Sequence, residues 1–222
     1  MLCLEHVTVS LRQEPLVEDL CLAIGPGEIV TLMGPSGCGK STLLAWICGT
    51  LTDDFDARGR IRLASHDLTA RPPEQRGLGM LFQDDLLFPH LSVGDNIAFG
   101  IPQAERGRRR RRTIVAEALE SVGLGGFADR DPRTLSGGQR LRVSLSRVLV
   151  SAPRALLLDE PFSALDTELR AEIRSLVFSR ARSQGLPVLL VTHDPEDARA
   201  AEGPVLRPWK TATSENALDS VE

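Results

Sequence analysis

Lys40 and Ser41 close the stretch Gly34-Pro35-Ser36-Gly37-Cys38-Gly39-Lys40-Ser41-Thr42, and their spacing is that of a loop built to hold phosphate. Glycines at 34, 37 and 39 let successive backbone N–H groups turn inward around an anion. A following helix would add the positive end of its dipole. The Lys40 ammonium would reach the two outer phosphates of a nucleoside triphosphate, and the Ser41 hydroxyl would ligate Mg²⁺. A second pair of candidates is Asp159-Glu160, just beyond the apolar run Ala155-Leu156-Leu157-Leu158. A carboxylate at a buried strand tip can hold Mg²⁺ through water, and its neighbour can polarise an attacking water. By itself this pair also reads as a solvated strand end.

The elements needed to position those residues are visible around them. Ile29-Val30-Thr31-Leu32-Met33 reads as the strand entering the loop, and Leu43-Leu44-Ala45-Trp46-Ile47 as the helix leaving it. Residues 2–11 alternate weakly as a strand; Gln13-Glu14-Pro15 makes a turn, and 20–24 form a short strand ended by Gly25-Pro26-Gly27. Residues 59–64 are expected as an edge strand of the same mixed sheet, and 77–82 as a buried strand running to Gln83. Apolar residues at helical spacing from 84 onward predict a helical subdomain. Helices are also expected over 138–151 and around Leu169–Val177, with a last strand at 187–191. After His193 little periodicity remains, and 210–222 read as a disordered polar tail.

Composition bounds the class. The chain has 222 residues, 42% hydrophobic and 25% charged, with a net charge of -4. That balance fits one sizeable core and gives no electrostatic argument for nucleic-acid binding. No apolar run is long enough to cross a bilayer, and five charged residues within the first 20 are not those of a signal peptide. Four cysteines at 3, 21, 38 and 48 form no C-x-x-C pair and suit a reducing cytoplasm. Cys38, inside the phosphate loop, is expected to have a lowered pKa in an electropositive setting. Of 26 basic residues only Lys40 and Lys210 are lysines. The arginine run 106–112 reads as a solvated helix start, or as a contact for lipid headgroups or a partner.

Leu135-Ser136-Gly137-Gly138-Gln139 precedes the 138–151 helix. Ser136 can cap it, and the two glycines expose N–H groups at its positive end, a second anion site. With this stretch the chain resembles the ATP-binding subunits of ATP-binding-cassette (ABC) transporters. The match runs from about residue 2 to 199 through the phosphate loop, Gln83, Leu135–Gln139, Leu156–Glu160, Ser163-Ala164-Leu165-Asp166 and His193.

The resemblance implies a P-loop NTPase fold of ABC ATPase type, α/β, with a mixed central sheet and a small N-terminal antiparallel β part. An ATPase domain would span 1–209, its helical subdomain (about 84–150) inserted in the core. It further implies a head-to-tail dimer, with a second copy or a homologous subunit, holding two ATP molecules. Gly34–Thr42, Asp159, Glu160 and His193 of one subunit would face Ser136, Gly137, Gly138 and Gln139 of the other. Glu160, His193 and Gln83 would be catalytic; Ser41, Gln83 and Asp159 would serve Mg²⁺, and Asp166 would couple the two sites. Transmembrane permease subunits would hold the protein at the cytoplasmic face of the membrane, with an extracytoplasmic solute-binding protein beyond them. The loop and Phe82-Gln83-Asp84 look like importer subunits of the iron, spermidine, sulfate, thiamine and maltose group. Two departures stand out: Leu11-Arg12-Gln13 sits where the family places an adenine-stacking aromatic, and little sequence follows His193, with no regulatory β-domain. A soluble ABC ATPase of DNA repair or ribosomes is the alternative. An unrelated P-loop kinase or GTPase would make Leu135–Gln139 and His193 coincidences.

Overall fold

The computed structural model describes residues 1–209, so the tail expected at 210–222 lies outside the described residues. In chain order the elements are β1 (Leu2–Leu11), β2 (Glu14–Ile24), β3 (Ile29–Met33), α1 (Lys40–Cys48), β4 (Phe55–Leu63), β5 (His66–Asp67) and β6 (Leu78–Leu81). There follow α2 (Val93–Gly100), α3 (Arg108–Ser121), α4 (Gly137–Leu149), β7 (Ala155–Asp159), α5 (Thr167–Ser183), β8 (Val188–Thr192), α6 (Pro195–Ala201) and β9 (Val205–Leu206).

Two sheets result. One is parallel, in the order β6-β7-β8-β3-β9. Every residue of β3, β7 and β8 is buried, which is why these segments read as unbroken apolar runs rather than alternating ones. The other is antiparallel, in the order β2-β1-β4-β5. The strand expected at 59–64 therefore starts earlier, at Phe55, and lies inside the antiparallel sheet between β1 and β5. The chain beyond His193 is also better ordered than its weak periodicity suggests: α6 caps off Asp194, and β9 pairs with β3 at the sheet edge. Two residues suffice for that strand because the pairing, not their own pattern, defines it.

Apolar burial falls into three clusters. The first joins β1, β2 and β4 to α1 and one face of the parallel sheet. The second packs α4 and α5 on the opposite face, around the fully buried Phe162. The third unites α2, α3 and the Val143 face of α4 through Val93, Ile97, Val115 and Leu119. The arginine run begins α3, and Arg111 turns back to donate to the carbonyls of Ala98 and Ile101.

Parallel registry decides where chemistry can occur. Leu81 lies opposite Leu158, Asp159 opposite Val191, and Met33 opposite Thr192. The carboxyl ends of four strands thus reach one edge together, where open α/β sheets bind their ligands.

Candidate functional site

At that edge β3 gives way to the loop 34–39, whose last residue, Gly39, has φ 100° and admits α1 directly behind it. Gly49, at φ 82°, ends the helix in the same left-handed geometry. Lys40 is 4% exposed, and its ammonium donates to the carbonyls of Gly34 (2.9 Å) and Pro35 (2.8 Å). Its third partner is Glu160, whose Oε1 lies 2.9 Å away. Next to it, the Ser41 hydroxyl donates to Asp159 Oδ1 at 3.1 Å. Residues 118 apart in sequence are brought together by β3 and β7 flanking β8.

Glu160 follows β7 with φ 44°, a left-handed conformation that costs a non-glycine residue about 1–3 kcal/mol and tends to occur at functional sites. It is held there by its own N–H donating to the Val191 carbonyl (3.0 Å) and by the Ser163 hydroxyl donating to its carbonyl (2.9 Å). The turn points its carboxylate at Lys40 with one oxygen and at His193 Nδ1 with the other, at 2.7 Å. Burial pushes the Glu160 carboxyl up, but the hydrogen bond and charge of Lys40, helped by His193, outweigh it and hold the group below its usual range. Asp159 is shifted the other way: burial raises it, and the Ser41 hydroxyl offsets only part of that. Two adjacent carboxyls are thereby given different environments, a pattern typical of sites that divide ligation from base chemistry.

His193 is half exposed, and the loop carrying it is braced from behind. Asp194 accepts from Arg170 Nη1 at 2.7 Å, and Arg170 also donates to the carbonyls of Ser163 and Leu165. Asp197, 2% exposed, accepts from Arg174 at 2.9 Å and from the Thr192 hydroxyl at 3.0 Å. Sequence reasoning passes over Arg170, Arg174 and Asp197. Their only signal is arginine on an otherwise apolar helix face, four residues apart.

Gln83 is exposed two residues past β6, on the same sheet edge. Ser136 caps α4 in a reciprocal box: its hydroxyl accepts from Gln139 N–H (3.3 Å), and Gln139 Oε1 accepts from Ser136 N–H (3.0 Å). Gly137 and Gly138 open the helix, where N–H groups have no intrahelical partner. A side chain at Gly138 would come 2.6 Å from Leu169 of α5, so that glycine is also a packing requirement. Asp166 caps α5 by accepting from Leu169 N–H at 3.0 Å. The two helix starts therefore lean on each other. Among the described residues, no hydrogen bond or ion pair joins Ser136–Gln139 to the Lys40 cluster.

Cys38 differs from expectation. Its thiol is partly buried against the core, and desolvation pushes its pKa up despite the nearby Lys40 charge. A further feature is Trp209, only 8% exposed, which bridges to Val17 and lies against the phosphate loop. A side chain at Gly34 would overlap its indole. Leu16 similarly abuts Gly39, 3.0 Å from where a β-carbon would stand.

The family model described as ABC transporter matches residues 17–163. The chain belongs to the ABC transporter family. Among relatives of this ABC protein, the uncharacterized ABC transporter ATP-binding protein YnjD of Escherichia coli (strain K12) is 48% identical over 200 residues, covering 90% of this chain and 92% of that one. The spermidine/putrescine import ATP-binding protein PotA of Marinobacter nauticus is 43% identical over 198 residues, 89% of this chain but 52% of its own length. The chain thus spans nearly all of YnjD and about half of PotA. A dimeric post-hydrolysis state of the ATP-binding cassette MJ0796, bound to ADP and Pi, superposes with a TM-score of 0.78 at 29% identity, covering 94% of both chains. The P-loop NTPase fold of ABC type is therefore present, and the protein is an ABC-type ATPase subunit.

Proposed function

We propose that this ATPase subunit binds Mg-ATP at the loop 34–42 and hydrolyses it in a head-to-tail dimer to drive solute import through membrane permease subunits. The observation that carries the reading is the continuous chain Lys40–Glu160–His193, with Ser41–Asp159 beside it, at the carboxyl edge of a parallel sheet.

The loop N–H groups and the Lys40 ammonium bind the phosphates. Lys40 must turn partly away from Glu160 to do so, which leaves that carboxylate free to accept a proton. Ser41 and Asp159 offer two hard oxygens side by side, a donor set that fits Mg²⁺. Bound there, the cation would neutralise phosphate charge, with Gln83 supplying a further oxygen. Glu160 orients and deprotonates the attacking water, and His193, fixed through Nδ1 by its bond to Glu160, presents Nε2 toward the γ-phosphate. The partner's Ser136, Gly137, Gly138 and Gln139 close the site, and Asp166 links the two sites through its cap on α5. The ATPase domain spans 1–209, with 84–150 as the helical subdomain that meets the permease. No described helix is long and apolar enough to cross a membrane, in keeping with attachment through permease subunits at the cytoplasmic face. Relatives named as importers of spermidine/putrescine, Fe(3+) ions and sulfate/thiosulfate support the direction of transport and an extracytoplasmic solute-binding protein.

Replacing Lys40 by Ala tests the assignment. Affinity for Mg-ATP is expected to fall about 10–150-fold in equilibrium titration, the loss of a charge-assisted phosphate contact. Near-normal affinity in a folded variant would overturn it.

A further inference from the structure

Away from the nucleotide site, β1 and β2 are both irregular at one place. Leu4 pairs with Leu22 and Val7 with Leu20, so Glu5 and His6 together oppose the single Cys21. Val7 to Val9 then spans Leu20 to Val17, so Glu18 and Asp19 of β2 together oppose the single Thr8. His6 and Asp19 both adopt φ 51°, left-handed and non-glycine. On the other flank of β1 the neighbour is Gly59, where a β-carbon would come 2.7 Å from the His6 carbonyl. The bulges are also pinned by hydrogen bonds: Asp19 N–H donates to Thr8 Oγ1 (3.2 Å), and His6 N–H donates to Cys21 Sγ (3.3 Å).

Their effect is to turn three different donors to one point. His6 Nδ1 lies 2.7 Å from Asp19 Oδ1 and 3.7 Å from Cys21 Sγ, and all three donor atoms fall within 4.8 Å of one another. All three residues are exposed, and Cys21 is a free thiol. We propose that His6, Asp19 and Cys21 form a surface site for a borderline divalent cation, Zn²⁺, bridging the β1 and β2 bulges.

The donor chemistry selects the ion. Thiolate and imidazole favour a transition cation over Mg²⁺ or Ca²⁺, and one carboxylate completes a set suited to Zn²⁺. Tetrahedral Zn²⁺ with ordinary bond lengths separates its nitrogen, oxygen and sulfur ligands by about 3.3–3.6 Å. The imidazole–sulfur distance is already close to this. The carboxylate needs to retreat from the imidazole by about 0.6 Å, a small side-chain adjustment on the surface. Water takes the fourth position, since no other His, Cys, Asp or Glu among the described residues joins the group. On binding, the Cys21 S–H bond gives way to a metal–sulfur bond, and the proton passes to solvent. The His6–Asp19 hydrogen bond is exchanged for two bonds to the same ion.

The cation would clip neighbouring strands at their weakest-paired point. Binding that favours the folded state raises thermal stability by about 5–10 °C at a 100-fold excess over Kd. The full chain, free of added metal, is titrated with Co²⁺ as a spectroscopic substitute and then with Zn²⁺. The expected result is intense tetrahedral Co²⁺ absorption with a thiolate-to-metal charge-transfer band, both bleached by Zn²⁺. Cys21→Ser should lose the charge-transfer band and weaken Zn²⁺ binding at least about 100-fold, His6→Gln should weaken it comparably, and Cys3→Ser should change neither. Persistence of the band in Cys21→Ser would overturn the proposal. So would a wild-type protein giving only the weak absorption of six-coordinate Co²⁺, or no thermal shift with Zn²⁺.

Discussion

Exchanging Glu160 for Gln separates the two tasks assigned to that carboxylate. The amide keeps the shape: its oxygen still accepts from Lys40, 2.9 Å away in the native protein, and its NH₂ faces His193 Nδ1. What disappears is charge and basicity. Loss of the base should slow hydrolysis by about 10²–10⁴-fold. Binding should move oppositely. In the native protein Lys40 shares its ammonium among Gly34 O, Pro35 O and Glu160, and phosphate must compete with that charged contact. Lys40 keeps its charge, so its bond to the amide oxygen stays charge-assisted; what is lost is the attraction of the ion pair, and competition weakens by about 1 kcal/mol. Mg-ATP should therefore bind about fivefold tighter. Equilibrium titration measures affinity, and single-turnover phosphate release measures the chemical step. Hydrolysis at the native rate would remove Glu160 from the chemistry. Weaker nucleotide binding would refute the competition between Glu160 and phosphate for Lys40.

The same pair makes a pH prediction. Because Lys40 and His193 hold the Glu160 carboxyl below its usual range, its contribution to stability is complete at neutral pH and lost as pH falls through that lowered value. Thermal melts of Glu160→Gln should lack this acid-side loss; an acid profile matching the native one would contradict it. Cys38 should react slowly with maleimide, with a rate that continues to rise above the ordinary thiol pKa, because burial pushes its ionisation up. Mg-ATP should slow the labelling further, and equal rates with and without it would place Cys38 outside the closing loop. Trp209→Ala removes a buried indole beneath Gly34, at about 3–5 kcal/mol or about 6–20 °C in Tm, and should weaken ATP binding as well. A Tm within 2–3 °C of native (about 1 kcal/mol) would deny it that role.

Much of this arrangement was legible in the sequence because its signals are local. The glycine-rich loop, the buried strands and the Ser136 cap each follow from a few adjacent residues, whereas the Asp166 cap on α5 emerges only from the structure. Ser41 and Asp159 read separately as candidates for Mg²⁺, Lys40 as one for phosphate and Glu160 as one for the attacking water. Their direct contact depends on sheet order, which no local pattern encodes. The same limitation hid the Arg170–Asp194 and Arg174–Asp197 braces, since an arginine on a helix face usually reads as solvated. Trp209 was missed because its partners, Val17 and Gly34, lie far upstream. Cys38 was misjudged because loop charge was weighed without the core packed behind the thiol. Placing the strand expected at 59–64 in the central sheet fails for a related reason: alternation marks a strand but not its neighbour.

The composite dimer is the centre of the functional reading, and mixing two inactive variants tests it most directly. Lys40→Ala disables a subunit's own phosphate loop but keeps its Ser136–Gly138 helix start. Ser136→Arg does the reverse, and Ser136 is exposed, so the exchange removes a cap worth about 0.5–2 kcal/mol without disturbing the core. Each variant alone should be inactive, and Ser136→Arg should still bind ATP as a monomer. A heterodimer contains one intact site, formed by the Ser136→Arg loop and the Lys40→Ala helix start. Steady-state ATPase of the mixture should therefore rise clearly above the sum of the separate proteins. A mixture no more active than that sum, or a Ser136→Arg monomer unable to bind ATP, would contradict the shared site.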